Sequence, residues 1–177
     1  MPTLHRCGGL SFPMKPSRLP VGEGQESVWD YPRPPRVERT TRRLVVVAGG
    51  LTVAQTTLGY RVLETSHPPV YYFPPSDVDQ SLLRPAGGAT FCEWKGSAQY
   101  FDLVLPNSTR PKAAWRYPDP TPGAEAIRGY FAFYAALADQ CTVDGIPVTP
   151  QPGGFYGGWI TPDLVGPFKG GPGTAGW

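Results

Sequence analysis

Two short stretches carry the side chains of this chain best suited to chemistry: Tyr60-Arg61-Val62-Leu63-Glu64-Thr65-Ser66-His67 and Cys92-Glu93-Trp94-Lys95. In an extended segment alternate residues share a face, so Glu64 stands on the same side as Tyr60 and Val62. A carboxylate with aromatic neighbours is partly desolvated, a setting that suits general acid or base work. Its competing role is a structural hydrogen bond to the backbone of the Thr65-Ser66 turn. His67 follows three residues later and precedes Pro68-Pro69, whose fixed φ holds the loop rigid. An imidazole there can shuttle a proton near neutral pH, or simply face solvent. Cys92 and Lys95 bracket Glu93-Trp94 at the mouth of an expected hairpin, and an adjacent ammonium favours the nucleophilic thiolate. The plainer roles are a small buried hydrophobe for Cys92 and an exposed turn residue for Lys95. Glu64, His67, Cys92 and Lys95 are therefore the candidate catalytic residues, expected to converge on one cleft. No third group that would orient a Cys–His pair is identifiable.

The candidate ligand-binding residues are Arg61, Tyr72, Trp94, Trp115, Tyr134 and Trp159. Most aromatic side chains of a small domain fill its core, where their large buried area stabilises it. Two or three lining a cleft would instead stack a flat ligand or cage a cation.

These residues have to be positioned by β structure. Arg43–Ala48 and Leu51–Thr56 are β-rich runs around Gly49-Gly50, the signature of a hairpin whose turn needs positive φ. Tyr60–Glu64 and Val70–Phe73 read as strands, and Pro74-Pro75 ends the second. The run Ser76–Leu83 reads as a short helical turn capped by Ser76. A second hairpin is expected from Ala89–Trp94 and Ala98–Leu105 about a turn at Lys95-Gly96. Ala113–Tyr117 and Gly129–Tyr134 read as further strands, Ala124–Ile127 as one helical turn, and Asp144-Gly145 as a tight turn. The fold class is mainly β, with short helical turns only. A single compact domain is expected over residues 26–149, preceded by a flexible arm over 1–25. The Gly/Pro-rich segment 150–177 holds Phe155, Tyr156, Trp159 and Phe168, apolar groups that belong on the domain surface rather than in a free tail.

Composition supports that plan. The 177 residues include 22 glycines and 23 prolines, which disfavour helical bundles, yet 40% are hydrophobic, which disfavours disorder. A net charge of +2 gives no broad basic field for nucleic acid, and the basic cluster from Arg33 to Arg43 reads as a solvated strand edge. No apolar run approaches the length of a membrane helix, and no secretory signal is visible after Met1. Cys7, Cys92 and Cys141 cannot all pair and none lies in a Cys-x-x-Cys spacing, a pattern of free thiols in a reducing cytoplasm. With His5 in the arm and His67 alone in the body, ligands for zinc are too few. The expectation is a cytoplasmic protein without cofactor or metal, monomeric or weakly dimeric. Its partner would be a small molecule rather than nucleic acid or membrane.

The stretch from Tyr60 through Pro74, with Phe91–Tyr100, Ala113–Pro118 and Gly129–Tyr134, resembles the bacterial and fungal family labelled domain of unknown function 427. The resemblance covers roughly residues 26 to 140. Gly157–Pro162 and Gly170–Gly173 are similar to the tails of longer bacterial members. The resemblance implies a β-complex fold akin to the Mss4-like or β-tent arrangement shared with methionine sulfoxide reductase B. Many such proteins hold zinc through two Cys-x-x-Cys knuckles; this sequence has neither. Some classifications give the family a nucleotidyltransferase-type label, but the residues here include no paired Asp motif for magnesium and no Gly-Ser phosphate loop. Three functions stay open at the level of sequence. One is a small-molecule cleft with catalytic groups; another is a non-catalytic module that holds a peptide or metabolite in an aromatic cleft. The third is a structural interaction protein whose tail and basic arm bind a partner.

Overall fold

The computed structural model describes residues 15–177. It is mainly β, and helical structure among the described residues is confined to five 3₁₀ turns of three residues each. Strand β1 (Glu26–Ser27) leads through Val28–Asp30 to β2 (Arg36–Arg39), β3 (Leu44–Ala48) and β4 (Leu51–Thr56). The β3–β4 turn is Gly49-Gly50, with φ of 58° and 74°, the left-handed pair that a two-residue hairpin requires. The LVVVA run of β3 alternates between buried and half-buried positions. That alternation is the one-face-in pattern of a strand on a core.

Next come β5 (Tyr60–Leu63) and β6 (Val70–Tyr72), which join β2 in a three-stranded sheet of order β2-β5-β6. The turns before the next strand differ from expectation. Pro75, not Ser76, opens the first one (Pro75–Asp77), which has no side-chain cap. A proline has no N–H to be capped and its φ suits the first helical position. The second turn, Gln80–Leu82, is capped by Asp79, whose side chain accepts from Ser81 N–H.

Long strands β7 (Leu83–Cys92), β8 (Gly96–Leu105) and β9 (Ser108–Arg116) follow, then β10 (Phe131–Phe133), giving a sheet of order β10-β9-β8-β7. Strand β9 starts five residues before the expected Ala113, because Leu105 already pairs with Ser108 across Pro106-Asn107. Strands β11 (Gln140–Val143) and β12 (Ile146–Pro147) turn at Asp144-Gly145, both at positive φ, and complete a sheet of order β12-β11-β3-β4.

The last segment is woven into the body by β13 (Thr149–Pro150), β14 (Trp159–Ile160) and β15 (Leu164–Val165). Strand β13 pairs with β14, and β15 runs parallel to β1. Its anchor is Trp159, 1% exposed, whose indole N–H donates to the Phe133 carbonyl at 3.0 Å. At the other end Arg18 pairs with Asp30 at 2.7 Å and Gln25 Nε2 donates to the Pro162 carbonyl at 3.2 Å. The expected arm's first fourteen residues, with His5 and Cys7, lie outside the described residues.

The main core lies between the sheets around Leu44, Val46, Phe73, Phe101, Phe131, Phe133 and Trp159. A second cluster gathers Val62, Tyr72, Ala98, Trp115, Tyr117 and Ile127, with Cys92 and Tyr134 packed against it. This second cluster forms the floor of the candidate site.

Candidate functional site

A cavity of about 520 Å³ opens where the end of β5 meets the mouth of the β7–β8 hairpin, and Glu64, His67, Cys92 and Lys95 all line it. Strand alternation brings Glu64 there, because Val62 lines the same cavity two residues before it. After Glu64 the chain makes a turn closed by His67 N–H donating to the Glu64 carbonyl at 3.0 Å. Ser66 occupies the third position of that turn at φ 71°, the position where a type II turn demands left-handed backbone. Ser66 is fully buried, and its N–H and carbonyl are taken by the Val28 carbonyl and Lys169 N–H. The turn is thereby fastened from both chain ends, and His67 is delivered to the cavity at 6% exposure.

The protonation of His67 follows from its neighbours. Gly158 N–H donates to Gln151 Oε1 at 3.0 Å, and Gln151 Nε2 donates to the Lys169 carbonyl at 2.8 Å. A backbone N–H can only donate and a carbonyl can only accept, so the orientation of the Gln151 amide is fixed. Its Nε2 also lies 3.0 Å from His67 Nδ1, which must therefore accept. The imidazole proton then sits on Nε2. Burial, and after it the charges of Lys169, Lys95 and Arg33, push the His67 pKa down to about 3. His67 is thus a neutral N–H donor held in one tautomer. The solvent-facing alternative is corrected, because His67 is buried, with Nδ1 occupied and the cation disfavoured.

Glu64 Oε1 lies 3.9 Å from His67 Nε2, too far for a hydrogen bond, and 3.3 Å from Arg33 Nε. Arg33 also donates to the Thr65 carbonyl at 2.9 Å, so its fork is shared between turn and carboxylate. Cys92 ends β7 and is half-buried against the Tyr72–Trp115–Tyr117 cluster. Lys95 holds its ammonium 5.8 Å above the Tyr117 ring and has no carboxylate partner among the described residues.

The aromatic candidates divide. Trp94, Trp115 and Tyr134 line the cavity, with the Trp115 and Tyr134 rings 4.5 Å apart. Trp159 does not; it is core. Tyr72 is fully buried beneath the cavity rather than in it, and its hydroxyl has no hydrogen-bond partner among the described residues. Burial pushes that phenol's pKa up; the Trp115 indole is near enough to temper the rise without being in hydrogen-bonding geometry. Arg61 points to the opposite side of β5, where it reaches Glu26 Oε1 at 2.5 Å and Glu38 Oε1 at 2.6 Å. It is a structural cross-link between β5, β2 and β1.

Residues without an individual signal in the sequence complete the walls: Arg33, Phe91, Tyr117, Phe155, Tyr156 and Lys169. Tyr156 packs edge-on against the His67 ring at 4.6 Å, and Lys169 stands 5.7 Å over the Tyr156 ring. Tyr134 Oη donates to the Phe155 carbonyl at 3.0 Å, tying the 155–157 loop down as a roof. A Cβ on Gly157 would drive into the Trp115 ring, so only glycine lets the roof approach so closely. The apolar groups of segment 150–177 gave a general hint of such a cover. Gln151 gave none, because its partner His67 lies 84 residues away in the chain. Beyond the roof a second hollow of about 400 Å³ shares Thr90, Tyr100 and Tyr134 with the first. Among the described residues no group of three His, Cys, Asp or Glu side chains is placed to hold a metal ion.

The family model described as a domain of unknown function (DUF427) matches residues 36–144. That span contains Glu64, His67, Cys92, Lys95 and the Trp94–Trp115–Tyr134 wall, while Arg33, the 155–157 roof and Lys169 fall outside it. No curated protein matches the chain.

Proposed function

We propose, for a chain that belongs to the DUF427 family, that it binds a flat small molecule in the cavity between the β5 end and the β7–β8 hairpin. The observation that supports this most is the pairing of an aromatic wall with a fixed polar donor. Trp94, Trp115, Tyr134 and Tyr156 offer ring faces and edges, and His67 Nε2–H has no hydrogen-bond partner among the described residues. Ligand sites characteristically combine apolar walls with a few convergent polar groups, and this volume suits a metabolite-sized molecule. A net charge of +2 favours a small-molecule partner over nucleic acid.

Thermal melting against a metabolite library tests the reading, because a ligand present at 100 times its Kd stabilises the protein by about 2.7 kcal/mol. Ring-bearing compounds should raise the melting temperature and quench tryptophan fluorescence, and Trp94→Leu should lose both responses while folding normally. A library in which no ring-bearing compound shifts the wild type, or in which Trp94→Leu responds equally, sinks the reading.

A catalytic reading is favoured by one observation, the Glu64 carboxylate and Cys92 thiol on the same cavity. With His67 fixed as a donor, that chemistry would fall to Glu64 as acid or base, or to Cys92 as nucleophile. Under this reading Glu64→Gln or Cys92→Ser abolishes turnover of the bound compound without weakening its binding. Equal turnover in both variants leaves the non-catalytic binder.

A further inference from the structure

The charges around the cavity do not balance once their partners are assigned. Five charged side chains line it: Arg33, Lys95 and Lys169 against Glu64 and Glu93. Arg33 and Glu64 satisfy each other at 3.3 Å. Glu93 is exposed on the hairpin turn, where water screens it. Lys95 and Lys169 remain, each set over a tyrosine ring rather than beside a carboxylate. Lys169 spends one of its three N–H donors on the Trp177 carbonyl at 3.0 Å; Lys95 makes no side-chain hydrogen bond among the described residues. On the same cavity His67 presents its Nε2–H, and Gln151 prevents the ring from turning that nitrogen into an acceptor. Burial is the main cause of the depressed basicity of His67, and Lys169, Lys95 and Arg33 add to it.

We infer that the ligand of this cavity carries an anionic group, a carboxylate or a phosphate, received by Lys95, Lys169 and the Nε2–H of His67 while its ring lies on the Trp94–Trp115 wall. This rests on the cavity being a ligand site. Ammonium groups and a neutral N–H donate and cannot accept, so an acceptor-rich anion matches all three, whereas a cation matches none. A tyrosine ring beneath each ammonium holds it at the cavity without neutralising its charge.

Four probes of similar ring size separate the possibilities: benzoate, phenyl phosphate, benzamide and benzylammonium. They are titrated into the full chain and followed by tryptophan fluorescence and ligand-observed NMR at low and high salt. At least one of the two anions is expected to bind about ten-fold or more tightly than benzamide, with benzylammonium weakest. The better of the two anions identifies the group, and its affinity falls with salt. Lys95→Gln is expected to remove about ten-fold from the anion and leave benzamide unchanged. Its fold is safe because the side chain makes no structural hydrogen bond, and Lys169→Gln is the second variant. Benzamide or benzylammonium binding as tightly as both anions, with Trp94→Leu weakening every probe, overturns the anion inference and leaves the cavity reading standing. Unchanged anion selectivity in both lysine variants overturns it too. If no probe binds at all, the cavity reading fails, and this inference with it.

Discussion

Strand β5 presents two faces that use charge in opposite ways. On one, Arg61 reaches Glu26 and Glu38, and Tyr31 Oη adds a 2.7 Å hydrogen bond to Glu26. Every charge there has a partner, and Glu38 sits directly across from Arg61 in the β2–β5 register. On the other, Val62 and Glu64 border a cavity where, among the described residues, two ammonium groups have no carboxylate and an imidazole N–H is unmet. A closed network ties strands together and leaves nothing to offer a ligand. An open set of donors, held rigid by an outer layer such as Gln151, is the arrangement expected of a recognition site. The alternation of side chains along one strand is enough to separate the two.

The sharpest way to break the contrast is Gln151→Leu. It strands Gly158 N–H, the Lys169 carbonyl and His67 Nδ1 together, at a cost of about 3 kcal/mol in urea denaturation. It should also release the fixed tautomer, so that the proton is no longer confined to Nε2, visible as a change in the imidazole nitrogen NMR shifts. An unchanged midpoint would mean that the amide does not hold the site.

The pH dependence of stability comes next. Folding lowers the His67 pKa from 6.5 to about 3, so only the unfolded chain takes up this proton as pH falls below 6.5. The His67 contribution is therefore complete above 6.5 and is lost between 6.5 and 3, at up to about 1.4 kcal/mol per pH unit. His67→Gln should flatten the wild-type slope measured between pH 6.5 and 4.5. Identical slopes would place the His67 pKa near its ordinary value.

Smaller again is Arg61→Met, which leaves Glu26 and Glu38 facing each other and should cost about 1.5 kcal/mol, since both carboxylates still reach water. Binding of any cavity ligand should be unaltered, which isothermal titration would check. Lys95→Gln should show the reverse: a stability change within about 0.5 kcal/mol and a clear loss of anion binding. A large stability loss would make Lys95 part of the framework.

Local chemistry determined much of this protein from sequence alone. Gly49-Gly50 and Asp144-Gly145 fix tight turns because their backbone must enter the left-handed region. Pro74-Pro75 stops a strand, and β-rich runs between such stops leave room only for a mainly β fold. Arg61 was read from sequence as a ligand-binding candidate, and the structure pairs it instead with Glu26 and Glu38 on the other face of β5 from Glu64, as residues three apart on a strand must lie. What needed the tertiary structure was everything set by contacts between distant segments. Whether a tryptophan is core, like Trp159, wall, like Trp94, or both, like Trp115, depends on which segments cover it. Whether His67 is a base or a donor depends on a glutamine 84 residues away. Side-chain type limits what a residue can do, but its protonation and its partners are decided by packing, and packing is not a local property of the chain.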